Sequence, residues 1–146
     1  MEKLSVYNHK ITFPVRFMDL DPMQHVNNAR YLNFLEEARI AYWKDVLEVK
    51  LDSAEFNAVV ARVEIDFLTP IFFNEVVSVY SRVSRIGTKS MTYDCTIVAE
   101  KDGKKKIAAH SLTTIVKLSP KTLKPTAIDE KTKGMIRKFE TLSKNV

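Results

Sequence analysis

Apolar and polar positions change their period along this chain. Residues 4–17 alternate in the manner of a strand, with Pro14 as a break. From Asn28 the period becomes helical. Tyr31, Phe34, Leu35, Ala38 and Tyr42 recur at i, i+3, i+4, i+7 and i+11 and form one apolar stripe. Leu32, Ile40 and Trp43 widen it, so the helix is expected to be covered on more than one side. No proline or glycine falls between Asn28 and Lys50. The pattern therefore predicts a helix of about 17 residues, roughly 25 Å long, with Asn27 as its N-cap.

After the helix the period returns to two. Val59, Ala61, Val63, Ile65 and Phe67 alternate with Val60, Arg62, Glu64, Asp66 and Leu68 and predict a half-buried strand that stops at Thr69-Pro70. Val77, Val79, Ser81 and Val83 mark a second strand, and Met91, Tyr93, Cys95, Ile97 and Ala99 a third. Asp102-Gly103 is a two-residue hairpin signal. The returning strand runs from Lys105 to Leu118, with Ile107, Ala109, Thr113 and Ile115 expected on one face. Residues 129–142 read as a short charged helix or tail. Long strands without helical crossovers argue against a parallel doubly wound sheet. One large antiparallel sheet and one apolar helix hide their surfaces best if the sheet curls around the helix. The expectation is a single α+β domain over residues 1–146.

Composition narrows the function classes. Among 146 residues, 23 are basic and 18 acidic, giving a net charge of +5. That suits an anionic partner such as a phosphate or an acidic carrier protein. The densest basic run, Lys101 to Lys106, coincides with the hairpin turn and reads as a solvated loop. No zinc-finger, RNA-recognition or helix-turn-helix signature accompanies it, so nucleic acid is not the expected partner. No apolar run is long enough to span a bilayer, and the first ten residues lack a secretion-type apolar core. The expected location is cytoplasmic, with no membrane partner. One cysteine, Cys95, excludes an internal disulfide and sits in a strand pattern, where an inert buried thiol is expected. No metal-ligand cluster or cofactor motif is present, so no cofactor is expected. His9 is expected to be exposed, and His110 to be a satisfied sheet histidine.

The chemistry concentrates where strand turns to helix. Arg16-Phe-Met-Asp19-Leu-Asp21-Pro22-Met-Gln-His25-Val-Asn27-Asn28-Ala-Arg30-Tyr31 places two carboxylates, a histidine and a helix start together. A helix N-terminus offers free N–H groups and the positive end of its dipole. A carboxylate beside it has a ready stabiliser for a developing oxyanion. Asp19 is expected to pair with Arg16 or Arg30. Asp21 before Pro22 reads either as a turn residue or as an ionised nucleophile or base.

Asp19-Leu-Asp21-Pro22, His25-Val-Asn27-Asn28 and Tyr31 with Glu36 and Arg39 resemble the signature of hot-dog-fold acyl thioesterases, the 4-hydroxybenzoyl-CoA thioesterase family with its long-chain acyl-CoA branch. The resemblance covers almost the whole chain. It implies a hot-dog fold, with a sheet of about five antiparallel strands around a long central helix. It also implies an acyl-CoA substrate, hydrolysed to a free acid and CoA. In the family a catalytic aspartate stands at the place of Asp21, as nucleophile or water-activating base. The oxyanion donor is a backbone N–H near Asn28. His25 either orients the turn or acts directly. Asn27, Tyr31 and Phe67 fall where substrate would lie. Lys89 and Ser90 sit where relatives contact the nucleotide of CoA, and otherwise read as a turn. A homodimer or homotetramer with shared sites is implied.

Three other activities fit part of this pattern. Acyl-carrier-protein thioesterases are similar, but their turn asparagine is Met23 here. A hot-dog dehydratase acting on 3-hydroxyacyl thioesters would use Asp21 and His25 for proton transfer, but its His-Phe-Pro-Gly pattern is absent. A non-catalytic acyl-thioester binding module would have no use for Asp21.

Overall fold

The computed structural model describes residues 4–51 and 57–141. Strand β1 (His9–Pro14) leads through a short 3-10 turn at Phe17–Asp19 into helix α1 (Asn28–Val46). Strands β2 (Asn57–Phe67), β3 (Val76–Ile86), β4 (Ser90–Lys101) and β5 (Lys104–Leu118) follow, and helix α2 (Glu130–Glu140) closes the described chain. Residue 142 of the predicted C-terminal segment lies outside the described residues. The five strands form one sheet in the order β1-β3-β4-β5-β2, every neighbouring pair antiparallel. Asp102 and Gly103 both take positive φ, 51° and 75°, at the tight turn between β4 and β5. This is the geometry that favours Asp-Gly in a two-residue hairpin.

Helix α1 follows the predicted stripe. Asn27 caps it through Oδ1, which accepts the Ala29 N–H at 2.9 Å. Tyr31, Phe34, Leu35, Ala38 and Tyr42 are buried, and α1 packs against β1 and β3. These side chains share a core with Val77, Val79, Val83, Met91, Tyr93 and Ile97 on the inner face of the sheet. Burying each large apolar side chain stabilises by about 1.5–3 kcal/mol. The Trp43 indole donates to the Tyr93 hydroxyl at 2.8 Å, so the widening of the stripe by Trp43 is used. Leu32 remains exposed and does not join this core.

Three further expectations change. His9 is buried, not exposed: its Nε2 lies 3.0 Å from Asp45 Oδ2 and its ring packs edge-on to Tyr42. Pairing with a carboxylate makes the buried imidazole tolerable. Strand β2 is not half-buried. It is an edge strand whose inner-face residues Val60, Val63 and Phe67 are exposed, because α1 covers the inner face near the other edge, at β1 and β3. Ile107 does not share a face with Ala109. Ile97 pairs with Ala109 and Val98 with Ile107, so Ala108 is an unpaired bulge residue and the alternation of β5 reverses across it. Ile107 turns outward and Lys106, opposite Ala99, turns inward.

The outer face carries a polar cluster around Asp94. Its carboxylate accepts from Arg82 Nε and Nη2 at 2.9 and 2.7 Å and from Tyr7 Oη at 2.9 Å, and it contacts His110 Nε2 at 2.9 Å. Burial works to raise this carboxyl, but Arg82, Tyr7 and His110 outweigh it and hold it below the usual carboxylate range. His110 is thus satisfied within the sheet.

Candidate active site

Residues Leu20 to Val26 form a miniature hairpin. Leu20 and Val26 bridge, the Asp21 N–H donates to the His25 carbonyl at 3.0 Å, and the Gln24 N–H donates to the Asp21 carbonyl at 2.9 Å. Gln24 takes φ 63° to make the turn. The arm after the turn is pinned from outside. The Val26 N–H donates to the Ile71 carbonyl at 2.8 Å, and His25 bridges Phe72. The arm before it is anchored by Asp19, which is fully buried. Asp19 accepts from the Arg16 N–H at 2.8 Å and Arg16 Nη2 at 3.1 Å, and lies 4.0 Å from Arg30 Nε. Its carbonyl accepts the Asn27 N–H at 2.8 Å, which fixes the start of α1 relative to the loop.

Asp21 has two differently occupied oxygens. Oδ1 accepts the Met23 N–H at 2.9 Å, the turn-forming bond that Asp before Pro favours. Oδ2 lies 3.5 Å from His25 Nδ1. Both side chains line a cavity of about 280 Å³ together with Val26, Asn28, Tyr31, Phe67, Leu68, Thr69 and Pro70. Asn28 is the first residue of α1, so its N–H belongs to the first turn, which has no intrahelical acceptor. Tyr31 and Phe67 meet edge to face with ring centres 5.0 Å apart and form an aromatic wall. Burial pushes the Tyr31 hydroxyl up, against a backbone hydrogen bond from Ile71, so it is a neutral donor at working pH. The arrangement combines a carboxylate, a helix start and an apolar wall around one space. That is what acyl transfer through a tetrahedral oxyanion requires.

The structure brings together Asp21, His25, Asn28, Tyr31 and Phe67. Asn27 stands beside them, with its side-chain oxygen used in the helix cap. Lys89 and Ser90 are elsewhere in the chain. Ser90 is level with Val116, and Val116 with Val59, whereas Phe67 lies eight residues further along β2. At strand rise that is roughly 25 Å. Glu75 is the residue that sequence reading passed over. It is buried, with its carboxylate between the Phe72 N–H and Lys106. Its signal was a carboxylate three residues after the amide it caps.

Residues 15–136 match the thioesterase-like superfamily. The chain belongs to that superfamily. Over 133 residues it is 35% identical to the long-chain acyl-CoA thioesterase FadM of Escherichia coli K12, a match covering 84% of this chain and 96% of the relative. A thioesterase from Thermus thermophilus, crystallised with coenzyme A and zinc, superposes with a TM-score of 0.81 at 34% identity. That match covers 94% of this chain and 97% of the other. A mutant 4-hydroxybenzoyl-CoA thioesterase in complex with 4-hydroxybenzoyl-CoA gives a TM-score of 0.76 over 87% of this chain and 96% of that one. At 12% identity this likeness concerns the fold alone. The superfamily sheet of five antiparallel strands with one long and one short helix is the architecture seen here.

Proposed function

We propose that the protein hydrolyses an acyl-CoA thioester to a carboxylic acid and free CoA. The carrying observation is that the Asp21 carboxylate and the first residue of α1 line one cavity with Tyr31 and Phe67. The similarity to FadM and to a thioesterase crystallised with coenzyme A supports the substrate class. Asp21 acts through Oδ2, the oxygen not committed to the Met23 amide, as nucleophile or as base for a water. The N–H of Asn28 stabilises the oxyanion, a contribution of about 3 kcal/mol for one such donor. His25 orients Asp21, and thiolate departure needs no strong acid. Asn27, Tyr31 and Phe67 line the acyl path.

A homodimer completes the site. Val60, Val63 and Phe67 are bare on an unpaired edge strand, and a second copy covering them would extend the sheet's wrap around α1. Antiparallel pairing of β2 with its counterpart would carry the partner's Lys89 and Ser90 toward this Asp21, where they contact the nucleotide of CoA. The whole chain acts as one catalytic domain.

The test is thiol release over a series of acyl-CoA chain lengths with one aryl-CoA. Wild-type turnover that vanishes in Asp21→Ala and Asp21→Asn supports the assignment. Near-normal turnover in either variant removes Asp21 from the mechanism.

A further inference from the structure

On the hydrolase reading above, we propose that Glu75 and Lys106 form a positioning pair. It holds the reactive loop in place through the main chain of Ile71 and Phe72.

The links can be followed atom by atom. Glu75 closes the turn Phe72–Glu75 twice: its N–H donates to the Phe72 carbonyl at 3.2 Å, and its Oε2 accepts the Phe72 N–H at 2.8 Å. Its Oε1 lies 2.8 Å from Lys106 Nζ, and that ammonium stands 4.8 Å from the centre of the Phe72 ring. On the other side of the turn, Ile71 receives the Val26 N–H and Phe72 bridges His25. His25 in turn receives the Asp21 N–H. From Lys106 to Asp21, every step is a hydrogen bond, an ion pair or a main-chain bridge.

Apolar packing anchors the fully buried Ile71 but not the turn that follows it. Phe72 and Phe73 are 43% and 52% exposed, so the turn is held by polar bonds more than by burial of its own side chains. Glu75 itself is 8% exposed, and a carboxylate that buried is tolerable only when paired. Lys106 supplies the pairing because the bulge at Ala108 turns it to the inner face. Charge-assisted bonds of this kind are shorter and stronger than neutral ones. A reacting carboxylate must be held within about 0.5 Å of its working position. Neither Glu75 nor Lys106 lines the cavity that holds Asp21, so both act through the loop and not on substrate.

The experiment uses the full chain with decanoyl-CoA as probe, together with amide hydrogen exchange. Glu75→Ala is expected to lower kcat by about 10–100-fold while KM stays within about threefold. In the same variant, the amides of Asp21 and Val26 exchange faster. Glu75→Gln keeps an acceptor for the Phe72 N–H and recovers most of kcat. Lys106→Met falls between the two. A folded Glu75→Ala protein with wild-type kcat, or with unchanged exchange at Asp21 and Val26, overturns the proposal. Should Glu75→Ala not fold, a folded Lys106→Met that matches wild type in both measurements overturns it equally. Absence of thiol release by wild type would reject the hydrolase reading alone, and the exchange data would still decide whether the pair holds the loop.

Discussion

The Tyr42 hydroxyl donates to Glu140 Oε1 at 2.7 Å, and the Val83 N–H donates to the same oxygen at 3.0 Å. One buried carboxylate therefore ties α1, β3 and the last residue of α2. Burial, opposed by those two donors, holds the Glu140 carboxyl above its usual range. A carboxyl raised in the folded state favours the fold most below its unfolded pKa of about 4.3. That contribution is lost as pH rises through the folded value. Glu140→Gln, which keeps an acceptor, is expected to gain up to about 1 kcal/mol over wild type at pH 8 and nothing near pH 4. Glu140→Ala leaves the Val83 N–H and the Tyr42 hydroxyl without their acceptor and costs about 1–3 kcal/mol. Urea unfolding at the two pH values checks both.

Asp94 has the opposite sign. Its pKa is lowered in the fold, so its stabilisation is full above the unfolded pKa of about 3.9 and is lost as pH falls through the folded value. Asp94→Asn should unfold about 1–3 kcal/mol more easily than wild type at pH 7. The two curves should converge in strong acid. Parallel curves down to pH 2 would show that the Arg82, Tyr7 and His110 contacts do not stabilise the charged form.

Asp21→Asn retains an oxygen for the Met23 N–H, so its unfolding midpoint should stay close to that of wild type. Its thiol-release rate should fall by about 10²–10⁴-fold, the range for losing a general base. His25→Ala should fall less, because the histidine ring only contacts Asp21 Oδ2 at 3.5 Å and its loss leaves the Met23 N–H bond to Oδ1 in place. A His25 effect equal to that of Asp21 would give the histidine a direct chemical part.

Val63→Asp places a charge on the bare inner face of β2. On the proposed dimer, light scattering is expected to shift from a dimeric to a monomeric mass, with thiol release reduced in parallel; a monomeric wild type would reject the dimer itself. A variant that keeps the wild-type mass would place the contact between copies elsewhere.

Cys95 is buried, its thiol donates to Ser81 Oγ at 3.5 Å, and burial pushes its pKa up to about 12. A disulfide reagent at pH 8 should label it only at the rate of unfolding. Rapid labelling of native protein would show that β4 opens locally.

Much of this was legible along the chain. The α1 stripe, its Asn27 cap, the Asp102-Gly103 turn and the inner face of β4 follow from period and turn chemistry, which are local. What was not legible depends on partners distant in sequence. His9 is buried because Asp45 and Tyr42 meet it across the fold, and no spacing announces that. The alternation of β2 held from Val63 to Phe67, but a bulge at Ala61 puts Val60 on the inner face in place of Val59 and Ala61, and whether that face is covered depends on where α1 lies. Asp21, His25 and Asn28 were visible as a cluster because one turn holds them. Lys89 and Ser90 were placed by resemblance alone, and nothing in their own neighbourhood marks their distance from that turn. The pairing of Glu75 with Lys106 was invisible because it depends on a bulge, and one inserted residue leaves no mark in an apolar pattern.

That inserted residue has a wider reach. The Ala108 carbonyl accepts the N–H groups of both Leu68 and Thr69, at 2.8 and 3.2 Å, and these two residues line the cavity beside Asp21. Deleting Ala108 would leave Ile107 opposite Val98 and Lys106 opposite Ala99, so the ladder would close up without a change of register. What would go is the carbonyl that holds Leu68 and Thr69 at the rim of the cavity. The irregularity in the sheet and the shape of the cavity beside Asp21 are thus one feature, and a lineage that smoothed the strand would have to rebuild that cavity.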